Sequence, residues 1–198
     1  MEKIPYTGIT SASAHSNCAK KLDTKLHLQN SNVLSCRDEQ LQYIQKDSIC
    51  MEIGVYKGDF SEKILEKNPK KLYLIEINSE YCENLKIKFK KFIDNNIVEI
   101  INKDSLTALK NFEKESLDYI YIDAGHEYVD VFNDLEESHK ILKYSGLIGL
   151  NDYIFYDYLM PLRYGVMQAA HEFIIKYNYN LIAFCLEPHG FHDILIKK

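Results

Sequence analysis

A short apolar run that carries an acid and then breaks at two glycines constrains this chain more than any other feature. Residues 49–53 are apolar apart from Glu52, Gly54 and Gly58 follow, and a helical pattern of apolar residues resumes at Phe60. Strand, glycine turn and helix in this order form a nucleotide cradle in α/β sheets, because glycines let the backbone approach a ligand and the helix N-terminus offers free N–H groups. The pattern predicts an α/β sheet that binds a nucleotide-like ligand.

The spacing of these glycines differs from the dinucleotide fingerprint. The pattern G-x-G-x-x-G needs glycine where this chain has Tyr56 and Asp59. Without the middle glycine a pyrophosphate cannot lie tightly against the turn. The motif therefore favours a different nucleotide-like cofactor, and an NAD-dependent oxidoreductase remains the less favoured alternative.

Strand and helix patterns alternate from residue 48 onward. The strand-like runs are 49–54, 71–76, 97–101, 117–123 and 147–152. Helical patterns cover 79–92, 129–142 and about 162–177, and Gly146 is expected to end the second of these helices.

Two further strands lie next to each other at the C-terminal end. Residues 180–186 and 191–197 are joined only by Glu187–Gly190, a turn too short for a parallel crossover, so they must pair as an antiparallel hairpin. The predicted fold class is α/β. It is a Rossmann-like, mostly parallel sheet of seven strands with helices on both faces and a C-terminal antiparallel β-hairpin.

The first 47 residues have a different character from the rest of the chain. They are polar and weakly periodic, and they are predicted to form a helical or irregular cap segment over residues 1–47, followed by the main domain over 48–198. Within the cap, Ser35–Asp38 is expected to start a helix whose Leu41 and Ile44 face inward.

Charge and cysteine content exclude several classes of partner. The net charge is −5, lysines are interleaved with acids, and there is no basic block, which argues against nucleic acid. The apolar runs are too short to span a membrane. Five cysteines without a C-x-x-C pair favour a reducing, cytoplasmic location. The oligomeric state stays open, a homo-oligomer included.

Every predicted parallel strand ends in or near an acid. These residues are Glu52, Glu76, Asp104, Asp123 and Asp152. Ligands of open α/β sheets bind beyond the C-terminal strand ends, so these side chains are expected to surround one crevice. Glu76 lies 24 residues after Glu52, close to the roughly 20-residue offset at which an acid reaches a ribose diol.

Several motifs together resemble those of class I S-adenosylmethionine-dependent methyltransferases. The motifs are Glu52-Ile-Gly-Val-Tyr-Lys-Gly58, Ile75-Glu76, Lys103-Asp104-Ser105, Tyr121-Ile-Asp-Ala-Gly-His126, Asp134-Leu135 and Gly146–Tyr153. Their order is most similar to the small-molecule O-methyltransferase branch, which includes catechol and macrolide-sugar O-methyltransferases.

The resemblance implies S-adenosyl-L-methionine as the cofactor and assigns residues to its parts. The implied cofactor-binding residues are Glu52, Gly54, Tyr56, Gly58, Glu76, Asp104, Ser105 and Asp123. Among them, Glu52 and the two glycines would line the methionine part and Glu76 would hold the ribose. Asp104 and Ser105 would lie near the adenine.

The same resemblance implies a catalytic end. His126 would act as the proton-accepting group, a task that suits imidazole near neutral pH. Asp123, Asn151 and Asp152 are oxygen donors that would hold a divalent ion such as Mg²⁺.

The implied reaction is methyl transfer to a hydroxyl of a small molecule. A sugar or a nucleotide-linked sugar is favoured over a catechol, because catechol-type relatives carry Lys where this chain has His126. The aromatic segment 153–164 is a candidate acceptor wall, with Arg163 as a partner for a phosphate or carboxylate. A non-catalytic, cofactor-binding interaction protein remains an alternative, which Asn151 favours.

Overall fold

A twisted, mostly parallel sheet forms the centre of the molecule in a computed structural model, which describes residues 20–159 and 162–198. The part of the predicted cap over residues 1–19, including Cys18, lies outside the described residues. The strands are β1 Asn32–Leu34, β2 Ile49–Ile53, β3 Lys71–Ile75, β4 Val98–Ile101, β5 Leu117–Ile122, β6 Leu142–Leu150, β7 Tyr156–Asp157, β8 Leu162–Arg163, β9 Asn180–Cys185 and β10 Asp193–Lys197.

Helices connect these strands. They are a 3₁₀ helix Arg37–Tyr43, then α1 Asp59–Leu65, α2 Ser79–Lys88, α3 Lys90–Asp94, α4 Ser105–Leu109, α5 Tyr128–Ile141 and α6 Val166–Tyr177. The main sheet has the order β1-β9-β10-β6-β5-β2-β3-β4, and β7 and β8 form a separate short hairpin.

The sheet matches the predicted fold class. Strands β2 to β6 pair in parallel, and β10 is antiparallel to both β6 and β9, as the short turn before it requires. The order places β2 and β5 at the centre, where both faces are covered by helices and the strands are almost wholly apolar.

Helical periodicity explains how the layers pack. In α6 the buried residues are Val166, Ala169, Ala170, Phe173 and Ile174, which form one face at the spacing i, i+3, i+4, i+7 and i+8. Helix α5 packs against α6 on the same side of the sheet. Helix α1 and the 3₁₀ helix cover the opposite side together with α2.

Several element boundaries differ from the sequence prediction. An eighth strand, β1, lies at the edge of the sheet and pairs in parallel with β9. Helix α5 ends at Ile141 and β6 begins directly after it, so Gly146 lies in the irregular first part of that strand and does not end the helix. The left-handed backbone conformation expected of a helix-ending glycine is found at Ser145 instead, with φ 67°.

Two predicted helices also change form. The pattern over 79–92 divides at Phe89 into α2 and α3. The segment after Ser35 forms a 3₁₀ helix that buries Leu41 and Ile44, and the Ser35 hydroxyl donates to Glu39 at 2.6 Å rather than capping a helix N-terminus.

The described cysteines, Cys36, Cys50, Cys82 and Cys185, are all free thiols. Cys50 and Cys185 are fully buried and pack as small apolar side chains. Among the described residues, no helix is both long and apolar enough to cross a membrane.

Candidate active site

A cavity of about 590 Å³ opens at the C-terminal edge of β2, β3, β4 and β5. Its size falls in the range of small-molecule sites, and its position is where open α/β sheets bind ligands. The predicted cofactor-binding residues that line it are Glu52, Gly54, Tyr56, Glu76, Asp104, Ser105 and Asp123. The sheet thus brings these strand-end residues together around one opening.

Three residues of the glycine turn adopt left-handed backbone conformations beside this cavity. Gly54 has φ +81°, and a Cβ there would overlap the carbonyl oxygen of Asp123. Gly58 has φ +74° and sits at the N-terminus of α1 without lining the cavity. Tyr56 adopts φ 52° between them and is half exposed, with its ring against Tyr81. The absence of a side chain at Gly54 lets β2 and the β5 end approach closely enough to form the floor of the cavity.

The carboxylate of Glu76 braces the glycine turn. Its Oε2 accepts hydrogen bonds from the backbone N–H groups of Val55 at 3.1 Å and Tyr56 at 2.9 Å, and its Oε1 accepts one from Asn78 at 2.8 Å. In a dinucleotide-binding fold, turn N–H groups of this kind face the pyrophosphate. Here a fixed negative charge covers them, so the turn disfavours an anion and argues against NAD.

Glu52 lies deeper, at the end of β2. It is only 2% exposed and accepts a hydrogen bond from the Ser61 hydroxyl. Burial raises its pKa to about 8, partly offset by that hydrogen bond. A cationic ligand nearby would favour its ionised form.

The far end of the cavity, beyond β4, holds a second group of polar residues. Asp104 is exposed and caps α4 by accepting the Thr107 N–H at 2.9 Å, a hydrogen bond that lowers its pKa. Asp134 of α5 is buried, and burial raises its pKa to about 6, while hydrogen bonding with Ser105 opposes that rise. These residues come from two elements, α4 with its N-cap and α5.

His126 lies next to the cavity, between two carboxylates. Its Nε2 is 3.2 Å from Asp152 Oδ2 and 3.9 Å from Asp123 Oδ1, and the ring stacks on Tyr164 with centroids 4.7 Å apart. Burial lowers its pKa, but the close contact with Asp152 and the charges of both carboxylates outweigh burial, so the net pKa is raised. Burial raises the pKa of Asp123 to about 6.

The residues predicted to hold a divalent ion do not form a free donor set. Asn151 donates its side-chain N–H to the buried Asp193 at 3.1 Å. Asp152 pairs with His126, and Asp123 lies between His126 and Arg37. Within residues 20–159 and 162–198, no group of three or more His, Cys, Asp or Glu residues is arranged to hold a metal ion. The structure therefore does not support the predicted metal site, because Arg37, His126 and an internal hydrogen bond already engage its candidate ligands.

Arg37 lines the same cavity and was not singled out from the sequence. It projects from the 3₁₀ helix, with its guanidinium 5.3 Å from the centre of the Phe60 ring and Nη1 3.9 Å from Asp123 Oδ2. It also lies close enough to hydrogen-bond with the Tyr121 hydroxyl. It lies in the polar cap segment, where no motif marks it.

Tyr164, one of the aromatic residues of the predicted acceptor wall, lies against His126. Tyr164 stacks on that histidine and donates its hydroxyl to Asp157 at 3.1 Å. Arg163, the predicted anion partner, lies over the Phe155 ring at 5.5 Å. Tyr156 and Tyr158 are largely exposed.

The ionisable residues of the cavity fit a cofactor with a cationic centre. Its carboxyl groups are Glu52, Asp59, Glu76, Asp104, Asp123, Asp130 and Asp134, against the cations Arg37, Lys57 and Lys103. Such an excess of acids favours a sulfonium or ammonium group and opposes a ligand with two phosphates. The charge of the lining therefore fits S-adenosylmethionine better than a dinucleotide.

Comparison with known proteins agrees with this geometry. A family model described as a methyltransferase domain matches residues 51–153, just over half of the chain. No curated protein matches the sequence significantly.

Solved structures show the same fold at low sequence identity. A candidate rRNA methylase from Clostridium thermocellum has a TM-score of 0.65 at 11% identity, over 81% of this chain and 92% of that one. A candidate methyltransferase from Streptococcus mutans in complex with SAH has a TM-score of 0.61 at 13% identity, over 80% and 92%. The tRNA methyltransferase TrmK of B. subtilis has a TM-score of 0.61 at 20% identity, over 83% and 66%. Given its family match, the chain belongs to the methyltransferase domain family and has the fold of a class I S-adenosylmethionine-dependent methyltransferase.

Proposed function

We propose that this protein transfers a methyl group from S-adenosylmethionine to a hydroxyl of a small molecule, with a sugar or a nucleotide-linked sugar as the favoured acceptor. The observation that carries the proposal is the position of His126, 3.2 Å from Asp152 and adjacent to the cavity residue Asp123. A hydroxyl is a weak nucleophile until its proton is removed, and a carboxylate-supported imidazole suits that task near neutral pH.

Different residues of the cavity would bind different parts of the cofactor. Glu52 and the turn at Gly54 would face the methionine part, and Glu76 would face the ribose with its remaining acceptor capacity. Asp104 and Ser105 would lie near the adenine. When bound there, the cofactor supplies an electrophilic methyl group.

His126 would act as the general base. Because its Nε2 faces Asp152, Nδ1 is the ring nitrogen left to take up the acceptor proton. Asp152 and Asp123 would then stabilise the imidazolium that forms, as the carboxylate of a catalytic triad does. Stacking against Tyr164 limits rotation of the ring and so keeps its orientation fixed.

Charge favours a small acceptor over RNA, although two of the structural neighbours are described as rRNA or tRNA methylases. This chain carries a net charge of −5, whereas RNA-binding surfaces neutralise phosphates with clustered Lys and Arg. The exposed aromatic rings of Tyr156 and Tyr158 offer faces on which a sugar would pack.

Cofactor binding is the first test of the proposed function. We expect S-adenosylhomocysteine to bind in calorimetric titration and NAD not to bind. Glu76→Ala removes a charged acceptor and frees the turn, so we expect a Kd about 10- to 100-fold higher, the usual effect of losing a hydrogen bond to a charged group. Glu80→Ala, at an exposed acid outside the cavity, is the matched control.

An acceptor screen then tests the reaction class. Radiolabelled methyl transfer would be measured to sugars, nucleotide-linked sugars, catechols and total RNA. Transfer to a hydroxyl compound supports the proposal, and transfer to RNA alone contradicts it. Cofactor binding without transfer to any of them would favour the non-catalytic alternative.

The pH profile tests the pairing of His126 with Asp152. Asp152 raises the pKa of His126, so Asp152→Asn is expected to lower it. Because the base works only when deprotonated, the acid limb of kcat/KM should move to lower pH, while the plateau falls because the base is weaker. An acid limb that stays in place would show that Asp152 does not act on the titrating group.

A further inference from the structure

One end of the cofactor cavity combines an acid with an arginine, and the other end does not. Arg37 lies near Glu52 at the end of β2 and near Asp123 at the end of β5. Asp104 and Ser105 follow β4, two strands away from β2 in the sheet. The cavity thus has an arginine end and an opposite end beyond β4.

Arg37 differs from the other cations of the cavity in how it is held. Lys57 and Lys103 are exposed, and a solvated lysine is a weak, mobile partner for an anion. Arg37 is half-buried, with its guanidinium fixed between the Phe60 ring and Asp123. A positioned guanidinium binds a carboxylate in bidentate fashion, and partial burial strengthens that interaction.

The backbone of the 3₁₀ helix fixes where this guanidinium lies. The Arg37 N–H donates to Glu187 Oε1 at 2.6 Å, and Gln40 in the same helix is buried against Asp193. Glu187 lies in the turn between β9 and β10, and Asp193 is the first residue of β10. Arg37 is therefore anchored to the main sheet rather than carried on a free surface segment.

We propose that Arg37 binds the α-carboxylate of the methionine part of S-adenosylmethionine and so selects cofactors that carry this group. The assignment rests on the proposed cofactor site. It gives the zwitterionic end of the cofactor two complementary partners, Glu52 for the ammonium and Arg37 for the carboxylate. The guanidinium lies 3.9 Å from Asp123 and within hydrogen-bond reach of the Tyr121 hydroxyl. Because a guanidinium carries five N–H donors, these two contacts leave donors for the ligand.

The test compares S-adenosylmethionine with its decarboxylated form, which keeps the adenosine, the sulfonium and the amine. Calorimetric Kd values for both ligands would be measured with the wild-type protein, Arg37→Gln and Arg37→Lys. We expect Arg37→Gln to weaken the binding of S-adenosylmethionine about 10- to 100-fold and the binding of the decarboxylated form less than about twofold. Arg37→Lys should give an intermediate loss of binding, because lysine keeps the positive charge but lacks the planar guanidinium that donates two parallel hydrogen bonds to a carboxylate.

Lys103→Gln is the matched control, since it removes a cation from the opposite end of the same cavity. It should leave the ratio of the two Kd values unchanged. The ratio in question is the Kd for the decarboxylated form divided by the Kd for S-adenosylmethionine. If Lys103→Gln lowered this ratio as much as Arg37→Gln does, the overall positive charge of the cavity, not Arg37, would account for recognition of the carboxylate.

The remaining outcomes are separable. Equal weakening of both ligands by Arg37→Gln would show a structural role and overturn the inference. Unchanged binding of both, with a raised KM for an anionic acceptor, would assign the guanidinium to the acceptor and also overturn it. If neither ligand binds the wild-type protein, the proposed function itself fails, a result distinct from loss of discrimination in a protein that binds.

Discussion

His126→Ala is expected to lower kcat on the best acceptor of the screen by about 10²- to 10⁴-fold, the usual contribution of a positioned general base. The same substitution should change the Kd for S-adenosylhomocysteine by less than about twofold, because His126 does not line the cofactor cavity. A loss of turnover without a loss of cofactor binding distinguishes a general base from a structural residue. Single-turnover methyl transfer together with calorimetry measures both quantities.

Two further variants sharpen this test. His126→Asn keeps a polar, planar side chain against Tyr164 but cannot accept a proton, so it should lose as much activity as His126→Ala. His189→Ala removes an exposed histidine of the β9–β10 turn and should keep wild-type turnover. Turnover by His126→Asn near the wild-type rate would contradict the assignment, and so would an equal loss in both His126 variants and His189→Ala.

The strands and the strand-end acids could be predicted because their signals are local. The runs that became β2, β3 and β5 are mostly apolar stretches with one charged residue each, bounded by turn residues, and parallel topology then brings their C-terminal ends to one edge. The short turn at Glu187–Gly190 likewise fixed the antiparallel hairpin without any tertiary information. Local pattern and topology together were enough to locate the crevice.

The features that the sequence does not reveal depend on contacts between distant parts of the chain. Asn151 looked like a metal ligand because it follows a strand next to Asp152, but its amide donates to Asp193, which the pairing of β6 with β10 places beside it. Strand β1 has only three residues, and Val33 in it is exposed, so no periodicity marks it. Arg37 reaches the cavity only because the 3₁₀ helix packs over α1.

Gly54→Ala is expected to cause the largest loss of stability and cofactor binding of any single change in the turn. The backbone at this position has φ +81°, which costs an L-residue about 1–2 kcal/mol. The added Cβ would also overlap the carbonyl oxygen of Asp123, and overpacking of this kind costs about 1–3 kcal/mol more. We therefore expect the free energy of unfolding to fall by about 2–5 kcal/mol in denaturant titrations.

Alanine variants at two other glycines separate the cost of left-handed backbone strain from the cost of steric overlap. Gly190→Ala meets the same left-handed backbone, with φ +79°, but its Cβ would lie 3.7 Å from Tyr158, so it should show the backbone cost alone. Gly58→Ala has φ +74° and would place its Cβ 2.7 Å from the buried side chains of Leu85 and Phe89, so its cost combines backbone strain with overpacking against side chains. Of these three variants, only Gly54→Ala would place its Cβ against backbone atoms, between β2 and the residue that follows β5.

The relative losses of stability decide between the two causes. If all three variants lost stability equally, left-handed backbone strain alone would explain the loss at Gly54. A larger loss at Gly54, accompanied by loss of S-adenosylhomocysteine binding in the protein that remains folded, would show that close approach of these strands shapes the cofactor cavity.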